Sequence, residues 1–126
     1  MAALKIINLG RAFAPRLPYR EASRRFLGGA YELEIIFVPD KFMRNLNHKY
    51  RRKNKNTNVL AFGLSKNLGE LVLAPDFIRK EARKEKKDFR KHFWRIFLHG
   101  LSHLKGFRHG REMGEFENKA LKVFPV

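Results

Sequence analysis

Apolar residues along this 126-residue chain fall into two kinds of stretch. Four are short and dense: LKIINL (4–9), YELEIIFV (31–38), VLAFGL (59–64) and LGELVLA (68–74). Each has strand length, and the second begins with alternation before running continuously apolar. The remaining stretches space their apolar positions for helices. PYREASRRFLGG (18–29) is framed by Pro and a Gly pair. DKFMRNLNHKY (40–50) follows Pro39 and puts Phe42, Met43 and Leu46 on one side. Another helix opens at Pro75-Asp76, with its acid first and Lys and Arg later, the order the helix dipole favours. FRKHFWRIFLHGLSHLK (89–105) runs up to Gly106, which stands where a left-handed cap belongs. EMGEFENKALKVF (112–124) is a last helical piece, and RRKNKNTN (51–58) is a polar, basic loop. No repeat, linker or domain boundary interrupts the series. Residues 1–126 are therefore expected to form one domain, a compact α/β or α+β layer fold.

Composition changes this picture in two respects. The chain has no Cys, so disulfides and thiolate metal sites are excluded and any metal must be held by His, Asp or Glu. Its 28 Lys and Arg against 12 Asp and Glu give a net charge of +16, which attracts polyanions and releases counterions on meeting phosphates. Nucleic acid, RNA in particular, is the expected partner. An anionic membrane is the weaker alternative, because no segment reads as a membrane anchor. The MAALKIINLG start is too short an apolar run for a signal peptide, and no stretch has membrane-spanning length. The expected location is the cytoplasm.

Three of the five His lie in HGLSHLKGFRHG (99–110). His99 and His103, four apart, share one face of the predicted helix. Phe93, Phe97, Leu101 and Leu104 fall roughly opposite, leaving the imidazoles free to face a cleft. Gly106 permits a sharp turn that can bring His109 back over them. The spacing H-x-x-x-H-x-x-G-x-x-H is that of metzincin-type zinc sites, and three protein ligands leave one position open, as catalytic zinc requires. Those peptidases carry Glu directly after the first His as general base, whereas this chain has Gly100, which disfavours peptide hydrolysis. An electron-poor metal ringed by cations suits a phosphodiester better. His92 and His48 read as solvated surface residues, with RNA contact an option for His48. Tyr50 and Phe107 read first as packing residues and second as surfaces for base stacking.

HGLSHLKGFRH resembles the signature H-G-x-L-H-L-x-G-Y-D-H of the YbeY family. NHKYRRKNKNTNVLAF (47–62) resembles that family's N-x-x-Y-R-x-K-D-x-P-T-D-V-L-S-F, and LGELVLAPDFIRKEA (68–82) its G-D-I-V-I segment and following helix. The three stretches occur in family order and span most of the chain. The resemblance implies an α+β domain, a four-stranded mixed sheet packed with about five helices, with the metal site at the end of a central helix. It implies a single-strand-specific endoribonuclease acting in rRNA maturation, at the 3′ end of the small-subunit rRNA, and in ribosome quality control. The implied partners are single-stranded rRNA and the ribosome or its small subunit. It also implies one Zn2+ held by His99, His103 and His109, with Arg51 as the functional arginine. The chain departs from the pattern at Arg108, Asn54, Asn56, Ser102 and Ala61, where the family has Asp, Asp, Pro, Leu and Ser. Arg108 removes a carboxylate that would steady a ligand, or adds a phosphate contact. Two rival readings remain: a non-catalytic RNA-binding assembly factor with a structural metal, and a metal-dependent hydrolase of another substrate.

Overall fold

The computed structural model describes residues 3–10, 13–52, 57–107 and 110–126. Four strands, β1 (Ala3–Asn8), β2 (Glu32–Phe37), β3 (Val59–Ser65) and β4 (Leu68–Leu73), form one sheet in the order β1-β2-β4-β3. The pairings β1–β2 and β2–β4 are parallel, and β3–β4 is an antiparallel hairpin with a register shift between Gly63 and Ser65. The parallel steps require crossovers, which α1 (Tyr19–Leu27) and α2 (Asp40–Arg51) supply. Helices α3 (Pro75–Lys84), α4 (Phe89–Leu104) and α5 (Arg111–Val123) follow. This is a single α+β domain with a mixed sheet and five helices, as the chain's periodicity and the resemblance together suggest.

Alternation along the central strands sorts the core into two layers. Leu33, Ile35 and Phe37 of β2, with Leu71 and Leu73 of β4, join the larger cluster, which includes Tyr19 and Phe26 of α1 and Phe93, Trp94, Phe97, Leu98 and Leu101 of α4. Ile36, Leu60, Phe62 and Val72 face the smaller cluster around Met43 of α2. Trp94 and Phe97 stack at 5.2 Å, and the Trp94 Nε1–H donates to the Phe124 carbonyl at 3.1 Å, tying the end of α5 to the middle of α4. The Tyr19 hydroxyl donates to the Pro15 carbonyl at 2.6 Å, and burial raises its pKa above that of a free phenol.

Helix α4 is buried more widely than a one-sided stripe predicts. His92, Trp94, Leu98, Gly100 and Ser102 are buried beside Phe93, Phe97 and Leu101, while Leu104 is only half-buried. The helix therefore runs through the centre, with sheet on one side and α1, α3 and α5 around it. The expectation for His92 is overturned by this arrangement. It is 7% exposed, because α3 packs on α4 and brings Glu81 Oε1 to 3.2 Å from His92 Nε2. On the other face of the sheet, Phe42 stays 45% exposed although Met43 beside it is fully buried. No helix among the described residues is long and apolar enough to cross a membrane.

Candidate metal and nucleic-acid cleft

The last turns of α4 lie against β3, the sheet's edge strand on that side. Gly100 makes the close approach possible. A Cβ there would sit 2.8 Å from Leu71 Cδ2 and 3.2 Å from Val59 Cγ2. Position 100 thus faces the packed sheet, so a carboxylate base at this place would be pressed into the core instead of the cleft. With Gly100 against the sheet, His99 is left with a side chain 30% exposed and His103 is exposed at the helix end. The Ser102 hydroxyl, buried where the resembled pattern has Leu, donates to the His99 carbonyl at 2.5 Å and so carries no unmet polar group into the core.

The two imidazoles meet. His103 Nε2 lies 3.2 Å from His99 Nε2, with the rings nearly perpendicular. On the far side of its ring, His99 Nδ1 lies 3.3 Å from Glu117 Oε1 on α5. A carboxylate accepts, so Nδ1 is the nitrogen that donates to Glu117, and in the neutral ring Nε2 turns its lone pair towards His103. Two imidazole nitrogens on one tetrahedral zinc, at about 2.0–2.1 Å each, stand about 3.3–3.4 Å apart, close to the observed separation. The donor chemistry and spacing of this pair therefore fit a metal of the zinc type. Among the described residues no group of three or more His, Cys, Asp or Glu is placed to hold an ion. His109, the third expected ligand, and Arg108 beside it lie outside the described residues, as do Asn54 and Asn56. The turn leading towards them is as expected. Gly106 has φ 101°, and the amides of Gly106 and Phe107 donate back to the carbonyls of His103 and Ser102 at 3.0 Å each, the bonds of a Schellman cap.

Arg51 reaches the same place from the opposite side of the sheet. It is the last residue of α2, and Arg52 after it turns left-handed at φ 54°, its amide donating to the carbonyls of Asn47 and His48. Arg51, Thr57, Asn58, Ala61, His99 and His103 line one cleft of about 370 Å3 at the β3 edge. Tyr50 is 57% exposed with its ring edge-on to Phe62 at 5.4 Å, and His48 is exposed. Phe107 is half-buried against Phe116.

The family model for the endoribonuclease YbeY matches residues 16–122. The chain belongs to the YbeY family. It is 35% identical to the endoribonuclease YbeY of Bartonella henselae over 109 residues, covering 75% of this chain and 69% of that protein. It is 37% identical to that of Bartonella quintana over 89 residues, 62% of this chain and 55% of the relative. The Pseudoalteromonas translucida YbeY is also 37% identical, over 72% of this chain and 64% of its own length. Across these three YbeY proteins the chain spans 55–69% of the relative's length. The fold alone is similar to a solution structure from Thermotoga maritima, with a TM-score of 0.67 at 22% identity, covering 94% of this chain and 87% of that one.

Two residues, one behind this YbeY cleft and one lining it, escape a reading of the sequence. Glu117 had a signal: it lies on the inner face of α5, four after buried Met113 and three before buried Ala120, where a charge calls for a partner. Asn58 stands where the resembled pattern has Asp, and only the fold shows its neighbour. Its Nδ2 lies 3.2 and 3.4 Å from the two oxygens of Glu81 on α3.

Proposed function

We propose that this chain is a metal-dependent endoribonuclease of single-stranded RNA, acting on rRNA in the cytoplasm with the ribosome or its small subunit as partner. The observation that carries this reading is the convergence of His99, His103 and Arg51 on one cleft of a chain with net charge +16. His99 and His103, joined by His109, would hold one Zn2+. Such an ion supplies Lewis-acid polarisation of a phosphoryl oxygen when bound. The residues of the chain do the rest. Glu117 fixes the ring and tautomer of His99. Arg51 offers a planar, permanently charged fork to the nonbridging phosphate oxygens and stabilises the charge that grows on them during cleavage. The absence of a carboxylate at position 100 is consistent with a phosphodiester in place of a peptide substrate. Action at the 3′ end of small-subunit rRNA and in ribosome quality control is the biological setting that family membership favours.

The test is metal analysis followed by cleavage of single-stranded rRNA fragments by the wild type, His103→Ala and Arg51→Ala. About one metal per chain and cleavage by wild type alone are expected. Arg51→Ala should keep its metal and lose roughly 10²–10³-fold in rate, as removal of one charge-stabilising donor does. Full RNA binding with no cleavage by any of the three proteins would replace this reading with that of a non-catalytic assembly factor.

A further inference from the structure

Asn58 is a second cleft residue whose side-chain orientation is dictated from behind, as that of His99 is by Glu117. Ionised Glu81 can only accept hydrogen bonds, so the Asn58 amide must turn its NH2 group towards α3, and both close contacts are indeed from Nδ2. The Oε1 of Glu81 that meets Asn58 also meets buried His92, at 3.2 Å. The backbone carbonyl of Asn58 is also taken, accepting from the Ala74 amide at 3.1 Å. The residue lines the cleft, and among the described residues its Oδ1, a neutral acceptor, takes no hydrogen bond. An Asp in its place would set two carboxylates against each other across the same short distance. The amide removes that repulsion and leaves an acceptor of fixed direction.

We propose that Asn58 Oδ1 accepts a hydrogen bond from a ribose 2′-hydroxyl and is the element of the cleft that distinguishes RNA from DNA. This inference rests on the single-stranded RNA reading above. The argument is one of matching donors and acceptors. A sugar–phosphate strand offers acceptors along its whole length, and these suit Arg51. Its only backbone donor is the 2′-hydroxyl, which DNA lacks. A fixed acceptor in a cationic cleft therefore has a partner on ribose and none on deoxyribose. Asn58 acts here as a specificity residue, with Glu81 and His92 positioning it.

The experiment is fluorescence anisotropy with the full chain in EDTA, so that binding is read apart from cleavage. The probes are single-stranded oligonucleotides of one base sequence with ribose, deoxyribose or 2′-O-methyl sugars. Wild type is expected to prefer ribose by about 3–10-fold, the worth of one net hydrogen bond. The 2′-O-methyl probe keeps the oxygen but lacks the donor, and should bind like deoxyribose. Asn58→Ala should bring the ribose-to-deoxyribose ratio close to one while leaving deoxyribose binding in place. Asn58→Asp combined with Glu81→Gln restores a bond to position 81 with its polarity reversed and keeps an oxygen in the cleft, so the ratio should return. Equal binding of all three sugars by wild type, or an unchanged ratio in Asn58→Ala, overturns the proposal and leaves the RNA reading standing. Failure of wild type to bind any probe overturns both.

Discussion

Two histidines of helix α4 each meet a glutamate of a neighbouring helix at nearly the same distance, in different surroundings. His92 meets Glu81 at 3.2 Å, and His99 meets Glu117 at 3.3 Å. The first imidazole has a side chain 6% exposed, and its second nitrogen, Nδ1, is buried with no hydrogen-bond partner among the described residues. The second is 30% exposed, and its other nitrogen stands 3.2 Å from a further imidazole at a cleft wall. A carboxylate on one ring nitrogen fixes the tautomer in both cases. What differs is where the other nitrogen leads: into packed side chains at His92, and to a second imidazole on the cleft wall at His99. Pair geometry alone therefore does not mark a metal ligand.

Removing each ring gives the largest expected contrast. His99→Ala should weaken zinc binding by more than the about 10–100-fold that follows loss of an outer partner, since it removes a ligand itself. His92→Ala should leave zinc binding unchanged and cost about 1–3 kcal/mol of folding stability, because it leaves a void and deprives Glu81 of a donor. Zinc titration and denaturant unfolding of both proteins check this. Loss of zinc binding in His92→Ala would erase the distinction between the pairs.

Much of this contrast was hidden in the sequence, for an identifiable reason. The elements were legible because strand-length apolar runs, Pro at helix starts and Gly106 at a helix end are local signals. The shared face of His99 and His103 was legible because helical spacing fixes it. His92 was misread because its burial depends on α3, a separate helix that a one-helix projection cannot show. Glu81 and Glu117 are 11 and 18 residues from their histidines, and nothing local couples them. Asn58 likewise looked like one more polar loop residue until the fold set it against Glu81. The lesson from these cases is that first contacts along one helix can be read ahead, while the groups that orient them from other helices cannot.

Changing the outer partner should separate the pairs more gently. Glu117→Gln keeps an acceptor for His99 Nδ1–H but removes the negative charge that raises the basicity of the ring. Zinc affinity is expected to fall about 10-fold, and about 100-fold in Glu117→Ala, where the ring also loses its orientation. Competition against a chelator of known affinity reads this directly. An affinity unchanged in both variants would mean that Glu117 steadies α5 against α4 and does nothing for the ligand.

The smallest effect is expected at Glu81→Gln, and it joins the buried pair to the cleft. The carboxylate now lies within hydrogen-bond distance of both Asn58 and His92, and all of those contacts require it to accept. Glutamine offers one accepting oxygen and one donating nitrogen, and because Asn58 Nδ2 and His92 Nε2 both approach Oε1, its oxygen serves both only in that place; with the amide nitrogen there instead, one neighbour must change. Either Asn58 turns its amide over, exchanging Oδ1 for Nδ2, or His92 moves its proton to Nδ1, which has no acceptor among the described residues. Both routes replace the present arrangement with a poorer one, at about 1 kcal/mol of stability, and neither touches the His99–His103 pair. They part company on nucleic acid. A turned Asn58 would lower the ribose preference while leaving deoxyribose binding as it was. A shifted His92 proton would leave the preference intact and lower only the unfolding midpoint. Measuring both in one variant decides which of the two neighbours Glu81 holds more firmly.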